Sequence, residues 1–209
     1  MSTGDLRPFT PHRWFAAFYA RSAGREPAWL QTLRRVIVGP AAGRVLELGA
    51  GVGGGFTYYR EAAEVIATEP DPFMLRRARE AAGAAERPIA LVQGAAEALP
   101  LPDASVDTVL SVLVLCTVQD PGRALAEARR VLRPGGTLRF VEHVRGGGLL
   151  GQTHDVIAPA WRYFVGGCNP NRRTEAVIAA AGFEITRIRR RRVSFALPLI
   201  VGVARPTAV

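Results

Sequence analysis

Five short runs rich in Val, Ile and Leu recur along the chain, at residues 44–48, 64–68, 89–93, 106–112 and 137–142. Each ends near a glycine or an acidic residue. They show little period-two alternation, the pattern of strands covered on both faces. Residues 72–82 and 121–132 lie between them and carry helical spacing. Asp71-Pro72 and Asp120-Pro121 place a capping acid before a proline at the first helical position. Arg133-Pro134-Gly135-Gly136 stops the second helix and turns into the next strand. Strand–helix alternation of this kind predicts an α/β fold with a doubly wound parallel sheet, whose ligand crevice lies beyond the carboxyl ends of the strands. That rule selects residues 49–55, 69–71, 94–97, 111–116 and 142–144. Outside the rhythm, residues 9–38 are aromatic and amphipathic and read as helices capping the crevice. Residues 145–173 have Gly-rich edges and are too long for an ordinary connection. The tail returns to a helix at 175–181 and to strands at 183–191 and 197–204.

A length of 209 residues suits one domain with a small elaboration. The longest apolar stretches, 109–116 and 195–203, fall short of the roughly 20 residues of a membrane span. Residues 1–14 are polar, with no signal-peptide apolar run, so a cytoplasmic location is expected. Two cysteines, Cys116 and Cys168, exclude a disulfide framework or a Cys-rich zinc site. The net charge is +9, yet all 27 Lys+Arg positions are arginine. That bias reads as a GC-rich source and solvated surface charge rather than a phosphate footprint. Nucleic acid is disfavoured as a partner. An anionic membrane surface, contacted through Arg187-Ile188-Arg189-Arg190-Arg191-Arg192, is possible on this composition without being the favoured reading.

The richest stretch is Val45-Leu46-Glu47-Leu48-Gly49-Ala50-Gly51-Val52-Gly53-Gly54. A strand runs into glycines that let the backbone turn sharply and approach a ligand closely. Glu69 follows twenty positions after Gly49, at the end of the next strand, where an acid can bind both ribose hydroxyls. An adenosine-containing ligand is implied. The glycine spacing nearly satisfies a dinucleotide motif and does not decide which one. Glu47, two residues before the first glycine, and the downstream blocks decide it.

With these residues the chain resembles the class I S-adenosylmethionine-dependent methyltransferases over residues 44–143. That resemblance implies a Rossmann-like seven-stranded sheet, mostly parallel with the last strand antiparallel, and S-adenosyl-L-methionine as cofactor with S-adenosyl-L-homocysteine as product. By it, Glu47, Gly49, Ala50, Gly51 and Gly53 pack on the methionine part, Glu69 holds the ribose, and Pro70 and Met74 border the adenine. Gly94-Ala95-Ala96-Glu97-Ala98-Leu99-Pro100 resembles the block that contacts the adenine edge. The acid often found there is Ala95 here, so those contacts fall to backbone groups of Ala95, Ala96 and Glu97. Pro102-Asp103-Ala104-Ser105-Val106-Asp107 and Arg130-Val131-Leu132-Arg133-Pro134-Gly135-Gly136 are typical of the ubiquinone/menaquinone-biosynthesis-like branch. The sulfonium charge would be met by Glu47 or the backbone of Ser111, Val112 and Leu113. Val114-Leu115-Cys116-Thr117-Val118, Glu142-His143-Val144, Pro159-Ala160-Trp161 and Gly167-Cys168-Asn169-Pro170-Asn171-Arg172 resemble the small thiol methyltransferases of the methyltransferase-like group. Much of the core wording is also similar to bacterial phosphatidylethanolamine N-methyltransferases.

The expected acceptor is therefore a small molecule, a thiol first, with an oxygen, nitrogen or carbon of a natural product next and a phospholipid amine third. A methyltransferase-fold partner subunit without turnover is the alternative from another class. Ser111-Val112-Leu113-Val114 lacks the Asn/Asp-Pro-Pro-aromatic word resembling base-amine methyltransferases. His143 sits where a strand end meets the crevice and is either a contact to acceptor or cofactor, or a buried hydrogen-bonded histidine. His154 and Asp155 are a candidate base with its orienting carboxylate, although adjacent side chains point apart. Tyr19 occupies a lid position for cofactor and acceptor, and Trp161 and Asn169 are further acceptor contacts. His12 reads as structural, as do Phe9, Trp14, Phe15 and Phe18. Cys168 reads as a shape residue in a tight loop and Cys116 as a small buried hydrophobe. The three histidines show no ligand spacing, so no metal is expected. A monomer or homodimer fits the length.

Overall fold

The structure is a computed structural model and describes residues 26–194 and 197–207. Tyr19, His12 and the aromatic residues 9, 14, 15 and 18 lie outside the described residues. A helix α1 (Ala28–Val38) precedes β1 (Gly43–Leu48), and a short 3-10 turn (Phe56–Tyr58) leads to β2 (Ala62–Glu69). There follow α2 (Pro72–Gly83), β3 (Ile89–Gln93), β4 (Val106–Val112), α3 (Pro121–Val131) and β5 (Leu132–His143). Helices α4 (Gly148–Phe164) and α5 (Thr174–Ala180) come before β6 (Phe183–Ser194) and β7 (Leu197–Pro206).

The seven strands form one sheet in the order β3-β2-β1-β4-β5-β7-β6. Neighbours from β3 to β5 pair in parallel, and β7 runs antiparallel to both β5 and β6. The expected seven-stranded doubly wound sheet is present, with its last strand reversed. Alternate residues of the central strands serve two cores. Leu46, Leu48, Val109, Leu138 and Phe140 pack with Leu125 and Ala128 of α3 and Ile178 of α5. Val45, Leu110, Val112 and Val141 pack with Leu33 and Ile37 of α1, with Phe56 and Tyr59, and with Ala78 of α2. Both faces are covered, which is why these strands read as continuous apolar runs.

The two proline-led helices begin as the sequence predicts. Asp71 accepts hydrogen bonds from the Phe73 and Met74 amides, and Asp120 from the Arg123 amide. The Pro134-Gly135-Gly136 turn is narrower than expected. Leu132 already pairs with Val106 and the ladder resumes at Thr137 with Thr108, so the intervening residues bulge, with Gly135 at φ 81°. The neighbouring charged words brace this amino-terminal rim. Arg130 reaches Asp103 at 2.6 Å and Glu127 at 2.8 Å, and Arg133 reaches Asp107 at 2.9 Å.

The segment read as a long connection contains the 17-residue helix α4. Its flanking glycines and internal Pro159 disguise it, and Leu149, Val156, Tyr163 and Phe164 lie on its exposed side. The arginines at 189–192 are exposed on β6, one of the two edge strands, where charge discourages pairing with another sheet. Among the described residues no helix is long and apolar enough to cross a membrane.

Leu46 is fully buried in the central strand, whereas Leu149 is 81% exposed. Leu46→Ala is expected to cost about 2–5 kcal/mol of unfolding free energy. Leu149→Ala should stay within about 0.5 kcal/mol of the parent. Urea denaturation of the two variants checks the assignment; equal losses would contradict it.

Candidate functional site

The strand order reverses between β1 and β4, and the segments leaving their carboxyl ends part there. Beyond β1, Gly49, Gly51 and Gly53 all have positive φ, at 55°, 60° and 84°. A Cβ at Gly49 would stand 2.8 Å from a Val114 methyl, so the loop can lie against the β4 turn only without a side chain. The Ala50 amide donates to Thr68 O at 2.9 Å, tying the loop to β2.

Two carboxylates hold this loop. Glu69, at the end of β2 and 5% exposed, accepts the Gly51 amide on Oε2 at 2.8 Å and the Asp71 amide on Oε1 at 2.9 Å. Burial pushes its pKa up to about 7, against the two amide hydrogen bonds. Each oxygen keeps acceptor capacity beyond its one amide, enough for a vicinal diol. Glu47 lies beneath the loop at 2% exposure, and the Tyr59 hydroxyl donates to its Oε2 at 2.6 Å. Burial pushes the Glu47 carboxyl up, while Tyr59 and the nearby Arg34 guanidinium draw it back. Arg34 is itself paired to Glu26 at 2.8 Å. Sequence spacing carries no signal for Tyr59, because the 3-10 turn and its exit alone bring it under β1.

Met74 is buried at the start of α2, and Pro70 is half-buried just beyond the end of β2. Ala95 and Ala96 follow β3 at the same end of the sheet. The Glu97 side chain turns away to accept the Gln119 and Asp120 amides, and its carbonyl accepts from Arg123 Nε at 3.0 Å. Glu97 thus clamps the approach to α3.

The third buried carboxylate, Glu142 at the end of β5, organises the exit of β4. Its Oε1 accepts from Ser111 Oγ at 2.6 Å and from the Val114 and Leu115 amides at 3.0 Å, and its Oε2 from the Cys116 amide at 3.0 Å. Burial pushes the Glu142 carboxyl up and these four donors oppose it. Ser111 is thereby occupied inside the fold. Val112 is buried, and Leu113 turns the chain at φ 61° with its amide on Val141 O.

His143 follows Glu142. Its Nδ1 stands 3.4 Å from Cys168 Sγ and 3.9 Å from Cys116 Sγ. The histidine spacing gives no ligand set, whereas the fold brings these three donors within 4.8 Å of one another. Spacing along the chain conceals the group because the turn after β4, the end of β5 and the α4–α5 loop each supply one member. The hydrogen bond from Cys116 holds the Cys168 thiol well below its ordinary value, at about 5, with His143 adding to the effect. The Cys116 thiol is pushed up by the same bond and by burial.

The remaining expected acceptor groups have other partners. Asn169 Nδ2 donates to the carbonyls of Cys116 at 3.1 Å and Gly167 at 2.9 Å, so it fixes the Cys168 loop. His154 is buried, and its Nδ1 accepts the Gly146 amide at 3.1 Å. Asp155 points away to Arg145, at 2.7 Å, and to Asn171, so it does not orient His154 as a base. Trp161 is half-buried, and its indole Nε1 lies beside the Cys168 sulfur and helps to hold that thiol down.

Tyr59→Phe removes the donor to a buried carboxylate and should cost about 1.5–3 kcal/mol. Chemical denaturation reads this, and an unchanged midpoint would show that Tyr59 does not support Glu47.

The Methyltransferase domain family matches residues 46–140. Human thiol S-methyltransferase TMT1B is 35% identical over 158 residues, covering 72% of this chain and 64% of its own. The chain spans about three fifths of the length of the thiol S-methyltransferases it matches. A malonyl-[acyl-carrier protein] O-methyltransferase of Methylococcus capsulatus is 34% identical over 223 residues, 96% of this chain and 78% of that one. The crystal structure of a Thermotoga maritima S-adenosylmethionine-dependent methyltransferase, described as a possible histamine N-methyltransferase, aligns with a TM-score of 0.66. It is 26% identical and covers 92% of this chain and 98% of that one. On this likeness the chain belongs to the class I S-adenosylmethionine-dependent methyltransferases and takes S-adenosylmethionine as its cofactor.

Proposed function

We propose that the protein transfers the methyl group of S-adenosylmethionine to a small-molecule thiol. The observation that carries the choice is the acceptor-side group of Cys116, His143 and Cys168 at the ends of β4 and β5. It supplies soft donors and an imidazole where a thiol must lose its proton. The names of the human relatives TMT1B and TMT1A, at 35% and 33% identity, support the same reading. The Methylococcus relative favours a second reading, methyl transfer to a carboxyl oxygen.

The glycine loop and Glu69 fit the cofactor: a side chain at Gly49 would close the passage against Val114, and Glu69 can accept from two ribose hydroxyls. When bound, S-adenosylmethionine supplies a methyl group already activated on a sulfonium. The protein's task is alignment more than acid–base chemistry. Gly49, Ala50, Gly51 and Gly53 bring backbone against the methionine part. Glu69 binds the ribose, Pro70 and Met74 border the adenine, and backbone of Ala95 and Ala96 meets its edge. Glu47 supports the loop from below, held by the Tyr59 hydroxyl, rather than as a direct ligand. The turn at Leu113 presents backbone toward the reacting end. His143 faces the acceptor and favours its thiolate form. The acceptor is bounded further by the loop that Asn169 fixes and by Trp161.

Glu69 gives a pH dependence of definite sign. Its carboxyl is raised from 4.5 to about 7 in the ligand-free fold, so the folded state holds the proton more tightly than the unfolded chain. The stabilising contribution is full below about 4.5 and is lost as pH rises through about 7. Cofactor binding runs the other way, since the ionised carboxylate accepts from two hydroxyls. Affinity for S-adenosylhomocysteine should improve about tenfold from pH 6 to pH 8. Glu69→Gln should flatten the profile and bind more weakly throughout. Calorimetric titration of both proteins measures this, and parallel profiles would remove Glu69 from the ribose site.

Turnover tests the acceptor. Incubation with S-adenosylmethionine and 2-mercaptoethanol should yield S-adenosylhomocysteine and the methyl thioether, identified by mass spectrometry. A carboxylic acid of similar size and phosphatidylethanolamine vesicles should yield neither ester nor methylated amine. Product from either of those and none from the thiol would overturn the thiol reading.

A further inference from the structure

The soft-donor group at the ends of β4 and β5 has the dimensions of a metal shell. Sulfur-to-imidazole separations of 3.4 and 3.9 Å, with all three donor atoms within 4.8 Å, surround a point that each donor can reach. A tetrahedral zinc ion with Zn–S near 2.3 Å and Zn–N near 2.0–2.1 Å sets sulfur and nitrogen about 3.5 Å apart and two sulfurs about 3.8 Å apart. Two thiols and an imidazole suit zinc, whereas magnesium and calcium require oxygen ligands.

Each donor is also held in place before any ion arrives. Glu142 fixes Cys116 through its amide at 3.0 Å. The Thr174 hydroxyl donates to the His143 carbonyl at 3.2 Å. Asn169 and Arg172 pin the loop that carries Cys168, Asn169 through the Cys116 carbonyl and Arg172 through the Val118 carbonyl at 2.9 Å. The buried indole Nε1 of Trp161 lies beside the Cys168 sulfur, placed to donate to that sulfur when it ligates a metal. The hydrogen bonds of Glu142, Asn169 and Arg172 thus converge on three donors that have no covalent link to one another.

We propose that Cys116, His143 and Cys168 bind one zinc ion, whose fourth position is taken by the thiol acceptor. The second half of this proposal rests on the thiol reading given above. Two thiolates neutralise the ion, and three protein donors with none further among the described residues leave a coordination position, as in catalytic zinc sites. An incoming R–SH binds through sulfur and releases its proton to solvent. The bound thiolate sulfur forms the bond to the methyl carbon while the sulfonium carbon–sulfur bond breaks, its electron pair staying on the sulfur of S-adenosylhomocysteine. The neutral thioether is a poor ligand and leaves. No oxidant or reductant is involved.

The test uses the purified protein, kept reduced with a phosphine and stripped of metal, titrated with cobalt(II) and then zinc. About one equivalent of cobalt should produce a thiolate charge-transfer band and the visible bands of a tetrahedral site, and zinc should displace it. Cys168→Ser and His143→Gln, each checked for the parent's unfolding midpoint, should weaken binding beyond the roughly 10–100-fold that loss of an outer-shell partner costs. Adding 2-mercaptoethanol to the cobalt protein should shift the visible bands. Absence of the bands in the folded parent, or their persistence at parental affinity in both variants, would overturn the metal site. Bands that ignore the thiol would overturn its coordination to the metal. Thiol methylation at an undiminished rate by the metal-free protein would leave the thiol reading standing and the zinc role refuted.

Discussion

The geometry of the reacting end depends on one buried carboxylate. Glu142 is fully buried at the end of β5 and gathers the Ser111 hydroxyl and three consecutive amides, those of Val114, Leu115 and Cys116. A buried carboxylate is costly unless it is satisfied, and four short hydrogen bonds supply that satisfaction. They also fix the first turn after β4. That turn sets Val114 against Gly49, closing one side of the glycine loop, and sets Cys116 against His143 and Cys168. One wall of the glycine loop and the soft-donor group are therefore positioned by one residue that touches neither the glycine loop nor the thiols directly.

The three buried acids do different things with the same chemistry. Glu69 holds loop amides yet retains capacity for a diol, Glu47 is held from below by Tyr59, and Glu142 is committed to the backbone. Burial raises all three, and the number of donors decides how far each is drawn back. The raised Glu69 carboxyl is a local strain on the ligand-free fold above neutral pH. On the ribose role proposed for Glu69, binding a diol would relieve it.

The sheet was readable because strands covered on both faces leave an unbroken apolar signature, as in Val45–Leu48 with its alternate residues in two cores. The capped helix starts at Asp71-Pro72 and Asp120-Pro121 were equally plain, since caps act within a few residues. The place of Glu69 at the end of β2 was legible because the distance from a glycine turn to the next strand end is set by the fold. What Tyr59 and Glu142 hold, and the meeting of Cys116, His143 and Cys168, were not, since the partners come from segments 12 to 31 residues apart. Helix α4 was hidden for a different reason: glycines mark its start and Pro159 stands inside it, so the sequence reads as a broken connection. His154 and Asn169 looked chemical because polar side chains near a crevice are ambiguous until their partners are seen.

The most direct measurement is a crystal structure of the protein with S-adenosylhomocysteine. The ribose hydroxyls should lie within hydrogen-bond distance of Glu69, the methionine part along Gly49–Gly53, and the sulfur should face the Cys116–His143–Cys168 end of the crevice. A ligand that leaves Glu69 untouched, or whose sulfur faces away from His143, would contradict the account.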